Sequence, residues 1–371
     1  MRRLSIVLAL VLLLSACGSA DESGVSSTQL PSTTSDPVTT TIPFQSGELI
    51  SFDVARATPI PTDAAIAAVT RGDAALGLDL LRVTAGDENL MLSPYSIATA
   101  LSMLYPGARG ETAEEIAAVL RLEVSDETLH EVRNAIDTAL MADPPPSRQE
   151  DDRVPFTIRP ANSAWGQGGY PFLDEYLQVL AEQYGAGLRL LDFSGDPGGA
   201  RETINTWVED ATEDRIKDLI PEGSIDSLTR LVLVNAIWFN ANWANQFEPD
   251  RTTEDPFTLI GGDSVSVPMM HGSFHTGYAS TGLFEAVRLP YAGDAAMVIA
   301  VPKSGSLGEF IATLGPDDLD IQWGDYQVET SIPSFEFEAD IPLKAALREL
   351  GMVRAFTEPF SPDGADLTGI T

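Results

Sequence analysis

The sequence predicts an α+β fold. Helical patterns dominate the first part of the chain and strand patterns the later part, an order that favours α+β over the regular alternation of an α/β sheet. From about residue 63 to residue 371 no second linker and no repeat interrupts these patterns. That length suits one large domain or two small ones.

Three segments carry helical signals. Ser93 and Pro94 have the character of an N-cap and a first helical residue, and the helix would continue through YSIATALSMLY. Thr112 and Glu115 have the spacing of a capping box for a second helix that runs to about Leu120. In a third segment the spacing i, i+3, i+4, i+7 predicts one face of a surface helix, formed by Ile204, Trp207, Val208 and Ala211.

Strand-like runs occupy residues 156–158, 188–193 and 231–239, and later EAVRLPY and AMVIAVP flank a hairpin turn at Ala292-Gly293-Asp294. The run RLVLVNAIWFNANW (230–243) lacks in/out alternation, so it predicts a central strand covered on both faces. Asn235 lies inside it. An unpartnered buried amide costs about 1–3 kcal/mol, so either another polar group meets Asn235 or this segment is not such a strand.

The first 17 residues, MRRLSIVLALVLLLSAC, predict an export signal, because two arginines precede an apolar stretch too short for an ordinary transmembrane helix. The segment Leu14-Ser15-Ala16-Cys17 resembles the bacterial lipobox, in which a peptidase cleaves before the Cys and the thiol carries a lipid. A plain secretory signal with a chance Cys is the alternative. Cys17 is the only cysteine, which excludes an internal disulfide, a Cys nucleophile and a Cys metal cluster.

Ser, Thr and Pro dominate the stretch after Cys17, which therefore predicts a disordered linker. We expect a signal peptide at 1–16, a lipidated Cys17 with its linker over 17–62, and a folded domain over 63–371. The expected location is the extracellular face of the cell membrane as a lipoprotein, or the extracellular space.

Charge and motif content exclude several functions. The chain has 55 acidic and 22 basic residues, a formal charge of −33, which opposes binding to nucleic acid, although such a surface also serves solubility alone. The sequence has no nucleophile elbow, P-loop or G-x-G-x-x-G. His271 and His275 lack a third metal ligand, and Gly272 between them opposes a helix. We predict no catalytic residues, no metal site and no cofactor, and interpret Asp363-Gly364-Ala365-Asp366 as a turn.

Several long motifs, in the correct order, resemble the serpin family. The N-terminal one is NLMLSPYSIATALSMLYPGARGETAEEI (89–116), and residues 192–259 are similar to the central signature. Further matches follow at 267–271, 284–302 and 332–356. The resemblance covers about residue 64 to the last residue. It implies a serpin fold with a large mixed sheet, smaller sheets and about eight or nine helices.

The resemblance also implies site residues. Asn235, Ser93 and Ser96 match a polar "shutter" that controls whether neighbouring strands of the large sheet part. Trp243 matches a residue of the "breach", where strand insertion begins. Ser93 can equally be a helix cap, and Trp243 a packed aromatic.

The implied function is suicide inhibition of extracellular serine or cysteine endopeptidases by a monomer. A protease cleaves a reactive-centre loop, and the loop then enters the large sheet as a new strand. The alternative is a non-inhibitory serpin-fold binding lipoprotein, because a fold does not guarantee its function. A generic solute-binding lipoprotein is a third and more distant possibility.

By the family's order of motifs, residues 1–371 lack another central strand, the reactive-centre loop and the closing strands of the barrel. We therefore expect an incomplete domain, a reactive site beyond Thr371 and no inhibition by the chain as given. The strand 231–239 would have an unpaired edge and Asn235 would be under-satisfied. Apolar residues of the barrel would stay exposed: Val298, Ile299 and Val301.

Overall fold

The computed structural model describes residues 4–15, 49–50, 54–142, 156–337, 339, 341–357, 361 and 363–371. These residues form eight α-helices: α1 (Asp63–Thr84), α2 (Pro94–Leu104), α3 (Gly110–Val119), α4 (Asp126–Met141), α5 (Asp174–Tyr184), α6 (Pro197–Ala211), α7 (Leu307–Thr313) and α8 (Leu343–Glu349). Within the described part of the chain, no helix combines the length and apolar character that a bilayer span requires.

The described residues also form ten strands: β1 (Leu4–Ser15), β2 (Leu49–Ile50), β3 (Thr157–Gln167), β4 (Leu188–Leu191), β5 (Thr229–Ala241), β6 (Thr252–Thr258), β7 (Ser264–Ser280), β8 (Phe284–Pro290), β9 (Ala296–Pro302) and β10 (Gly324–Pro333). They build two sheets. The large sheet has the order β1-β5-β3-β4-β2 and is mixed, because β3 and β4 run parallel. The second has the order β10-β7-β8-β9, with β6 paired to β7, and is antiparallel.

The predicted helix starts differ in outcome. Ser93 caps α2 as predicted, since its hydroxyl accepts a hydrogen bond from the Ser96 amide, and Pro94 is the first helical residue. The capping box at Thr112 is wrong, because α3 begins at Gly110 and Thr112 lies inside the helix. Its hydroxyl instead accepts a hydrogen bond from the Asp366 amide. This tertiary contact occupies the hydroxyl that a capping box would have directed to the Glu115 amide.

Both faces of β5 are covered, which confirms the prediction of a central strand. Leu231 and Leu233 belong to the main hydrophobic core, which α1, α2, α4 and α5 also line. Val232 and Val234 point to the other face and pack in a second core with α6, whose Ile204 and Val208 are buried as predicted. Because side chains alternate along a strand, Asn235 continues the row of Leu231 and Leu233 and faces the main core.

The expected open edge of β5 is wrong. The strand β1 pairs antiparallel along the whole of β5, from Leu4 opposite Ala241 to Ser15 opposite Thr229. Apart from one register shift at Leu14 and Ser15, this pairing and that with β3 give the backbone groups of β5 partners on both sides, so the predicted unpaired edge is absent from the described residues. The predicted hairpin is confirmed, with β8 and β9 joined through Gly293 at φ 129°.

The prediction for the barrel surface is confirmed at two of three positions. Val298 is 47% exposed and Val301 59% exposed, whereas Ile299 is half-buried. At the other end of the described chain, Ile370 is buried against α5 and the turn after α2, where its carbonyl oxygen accepts from the Leu173 amide at 2.8 Å. The residues before it are therefore fixed onto the helical layer.

Candidate functional site

Asn235 is fully buried in the middle of β5, and its partner is another asparagine. Asn162 lies directly opposite on β3, and the Asn235 Nδ2 donates to the Asn162 Oδ1 at 2.6 Å. This confirms that a polar group meets Asn235. The Asn235 Oδ1 has no hydrogen-bond partner among the described residues, so the amide is only half satisfied, as expected.

Asn162 connects this pair to the helices. Its Nδ2 donates to Asp137 Oδ1 on α4 at 3.4 Å, and the Tyr95 hydroxyl of α2 donates to the same oxygen at 2.9 Å. The other oxygen, Oδ2, accepts from Arg56, which precedes α1, at 2.6 Å. Burial, with a further contribution from the Asp137 carboxylate, raises the pKa of Tyr95, so Tyr95 acts as a neutral donor.

Ser93 and Ser96 meet each other but not Asn235. The Ser93 Oγ donates to the Ser96 Oγ at 3.1 Å, at the N-terminus of α2. Ser96 is fully buried, and α2 packs against β5. Among the described residues neither serine is hydrogen-bonded to Asn235. The structure therefore places the two serines on α2 and Asn235 on the strand against which α2 packs, but a hydrogen bond joins only the two serines.

Four residues of this network were not predicted from the sequence: Asn162, Asp137, Tyr95 and Arg56. The one sequence signal was Asn162 itself, a second asparagine that follows closely after the short strand predicted at residues 156–158. Asp137 and Arg56 gave none, because acidic and basic side chains at a helix surface or in a linker are ordinary.

Trp243 lies just beyond β5, in a chain of aromatic rings. It stacks on Tyr291 with ring centroids 4.6 Å apart and an interplanar angle of 16°, and the two residues also form an isolated β-bridge. The chain of contacts joins the end of β5 to β7 in the second sheet, through Phe156, Phe239, Tyr291, Trp243, Phe247 and Phe274. Burial raises the pKa of Tyr291 to about 12. Trp243 is therefore packed where the two sheets meet.

The two histidines of HGSFH lie on β7 and have polar partners. His271 Nε2 is 2.8 Å from Asp255 Oδ2, and its Nδ1 is 2.9 Å from the Ser331 hydroxyl. His275 Nδ1 is 3.1 Å from Asp325 Oδ1. In the part of the chain that the structure describes, no group of three His, Cys, Asp or Glu side chains could hold a metal ion. The candidate lipidation residue Cys17 lies outside the described residues.

Comparisons with known proteins agree on one family. A family model described as serpin (serine protease inhibitor) matches residues 72–371. An uncharacterized serpin-like protein of Thermococcus kodakarensis is 35% identical over 298 residues, which cover 79% of this chain and 66% of the relative. Antithrombin-III of Mus musculus is 34% identical over 293 residues, 76% of this chain and 61% of that protein.

The fold agrees with solved structures. Ovalbumin from emu (Dromaius novaehollandiae) superposes with a TM-score of 0.72 at 27% identity, covering 82% of this chain and 81% of that one. The predicted α+β serpin architecture is therefore confirmed. The matched part spans less than two thirds of the length of each of the two curated relatives. With 300 consecutive residues matched by the family model, residues 72–371, the chain belongs to the serpin family.

Proposed function

We propose that this protein is a serpin-type suicide inhibitor of serine or cysteine endopeptidases, acting outside the cell. The observation that carries the proposal is Asn235, a fully buried amide on a central strand with one oxygen unpartnered among the described residues. Such a group destabilises the closed sheet by about 1–3 kcal/mol relative to a satisfied amide. A sheet that must admit a new strand needs a weak point of this kind beside the strand that moves.

The large sheet also supports the proposal through β1. The edge of β5 beside Asn235 accepts an added antiparallel strand, and the pairing runs past Asn235, which is opposite Leu10. Inhibition of this kind requires a cleaved loop to pair with the same sheet. The pairing of β5 with an added antiparallel strand beside Asn235 supports the proposed mechanism.

The test is a search for a covalent protease complex. The full-length protein that contains residues 54–371 is incubated with a panel of serine and cysteine proteases. The products are heated in detergent and separated by gel electrophoresis. A band at the sum of the two masses supports inhibition. Two outcomes would contradict the proposal: cleavage by every active protease without such a band, and tight binding without cleavage. Either outcome would favour the second candidate, a non-inhibitory binding lipoprotein.

We further propose a lipid anchor at Cys17, on the outer face of the membrane. The lipobox-like Leu14-Ser15-Ala16-Cys17 and the Ser, Thr and Pro residues that follow support it. Cys17→Ser should move the protein from the membrane fraction to the soluble fraction, and Ser19→Ala is the matched control. Unchanged membrane association of Cys17→Ser would exclude this anchor.

A further inference from the structure

The polar contacts of Asn235 extend beyond the sheet through one side chain. The Asn162 Oδ1 accepts from Asn235, and the Asn162 Nδ2 donates to Asp137 on α4. Asn162 therefore has one contact within the strand pair β3–β5 and one with the helical layer. A shift of β3 and β5 along that layer would break the second contact.

Asp137 is held from two further elements, in addition to Asn162. Tyr95 of α2 donates to Oδ1, and Arg56 donates to Oδ2. The Asp137 side chain is 5% exposed, so a carboxylate oxygen that lost a donor here would gain little from water. The position of this carboxylate is therefore well determined.

Arg56 brings the segment before α1 into the same network. Its Nε donates to Asn134 Oδ1 at 2.8 Å, and the Asn134 Nδ2 donates to the Ala57 carbonyl oxygen at 2.8 Å. The Ala57 amide donates to the Glu182 carbonyl oxygen at 2.8 Å. Residues 56 and 57, which lie within the expected linker 17–62, are thus attached to α4 and α5.

We propose that Asn162, Asp137 and Arg56 are positioning residues that set how easily the strand pair β3–β5 moves against the helical layer. The chain Arg56–Asp137–Asn162–Asn235 couples the segment before α1 to the centre of the large sheet. Its biological use rests on the proposed function, since strand separation matters only in an inhibitor. The coupling itself is a property of the fold and is testable without a protease.

The test is a double-mutant cycle on the full chain, read by amide hydrogen exchange of β3 and β5. If Asn235 and Asp137 acted independently, the effects of their substitutions on the opening constant would multiply. Because Asn162 connects the two residues, we expect the effects not to multiply. We expect Asn235→Ala to raise the opening constant about three- to tenfold less in the Asp137→Asn background than in the wild type, the range that corresponds to one net hydrogen bond. Multiplying effects would overturn the proposal.

Two further variants separate a relay from general loosening. Asp79→Asn is the matched control, because Asp79 of α1 pairs with Arg82 of the same helix and with Arg121, which follows α3. Within the described part of the chain it has no hydrogen bond or ion pair with Arg56, Asp137, Asn162 or Asn235. It should leave the effect of Asn235→Ala unchanged. Asn162→Ala should abolish the coupling between Asp137 and Asn235, and coupling that persisted there would refute the relay.

Arg56→Gln keeps the experiment decisive if the buried variants fail to fold. The Arg56 side chain is 24% exposed, so its replacement perturbs packing least. We expect it to raise exchange in β3 and β5 as well as near residue 57. Increased exchange near residue 57 alone would contradict the proposal. A failure to inhibit proteases would leave these outcomes unaffected, so the two proposals can fail separately.

Discussion

Acid should weaken this fold through His130, a histidine buried in α4. Its side chain lies in the main helical layer, where Nδ1 is 2.7 Å from the Tyr184 hydroxyl and the two rings meet edge to face at 5.7 Å. The residue is only 6% exposed. Burial lowers the pKa of His130 from 6.5 to about 4. The folded state therefore holds His130 neutral at pH values where the unfolded chain protonates it.

The sign and size of the effect follow from this pKa difference. Below pH 6.5 the unfolded state binds the extra proton, so stability is complete above that pH and falls as the pH decreases towards 4. For pKa values of 6.5 and about 4, the loss is about 2 kcal/mol at pH 5 and about 3 kcal/mol at pH 4.

The measurement is the free energy of unfolding of the wild type and of His130→Asn, by denaturant titration between pH 7 and pH 4.5. An asparagine Oδ1 can replace Nδ1 as the partner of the Tyr184 hydroxyl but does not titrate. The variant should lose stability at pH 7 and lose less than the wild type on acidification. The contribution of the acidic surface cancels in the difference, and His275→Asn controls for removal of an exposed histidine. A difference that stays constant with pH would refute the reasoning.

Three other predictions concern packing and charge. Arg133→Met alone should cost about 3–5 kcal/mol of unfolding free energy by leaving Asp73 buried without its bidentate partner, and adding Asp73→Leu should restore most of that loss in a denaturant titration. Gly107→Ala should lower stability by about 1–3 kcal/mol, because a Cβ there would collide with the Ile370 side chain. Gly308→Ala meets nothing within 4 Å and should not lower stability; equal thermal midpoints of the two variants would contradict this. Trp243→Ala should cost about 1–3 kcal/mol of unfolding free energy, because the ring stack on Tyr291 is lost. Trp243→Phe should keep most of the stacking and therefore lose less stability; identical losses in the two variants would contradict a role for stacking.

The sequence predicted those parts of the fold that depend on local patterns. The apolar run around Asn235 has the composition of a doubly covered strand, and Ser93 with Pro94 has the chemistry of a helix start, so neither needs knowledge of a distant residue. Thr112 failed for the opposite reason. Its hydroxyl serves an amide 254 residues away, and no local spacing encodes that contact.

The candidate site was predictable only at its centre. A lone Asn235 in an apolar run requires a partner on energetic grounds, but the identity of that partner depends on strand register. Asn162 lies 73 residues away in sequence, and Asp137 a further 25 from Asn162. The predicted shutter set therefore contained the buried amide and the α2 serines. Asn162, which hydrogen-bonds to that amide, and Asp137, which bonds to Asn162, are apparent only in the three-dimensional arrangement.

The pairing of β1 with β5 has a consequence for the timing of secretion. The residues of β1, Leu4–Ser15, are the same residues that the sequence presents as an export signal, and their backbone groups are engaged along β5. The proposed export would require a secretion channel and a signal peptidase to reach that segment. Under this proposal, folding and translocation would compete for the same twelve residues. Export would then require the channel to bind Leu4–Ser15 before these residues pair with β5.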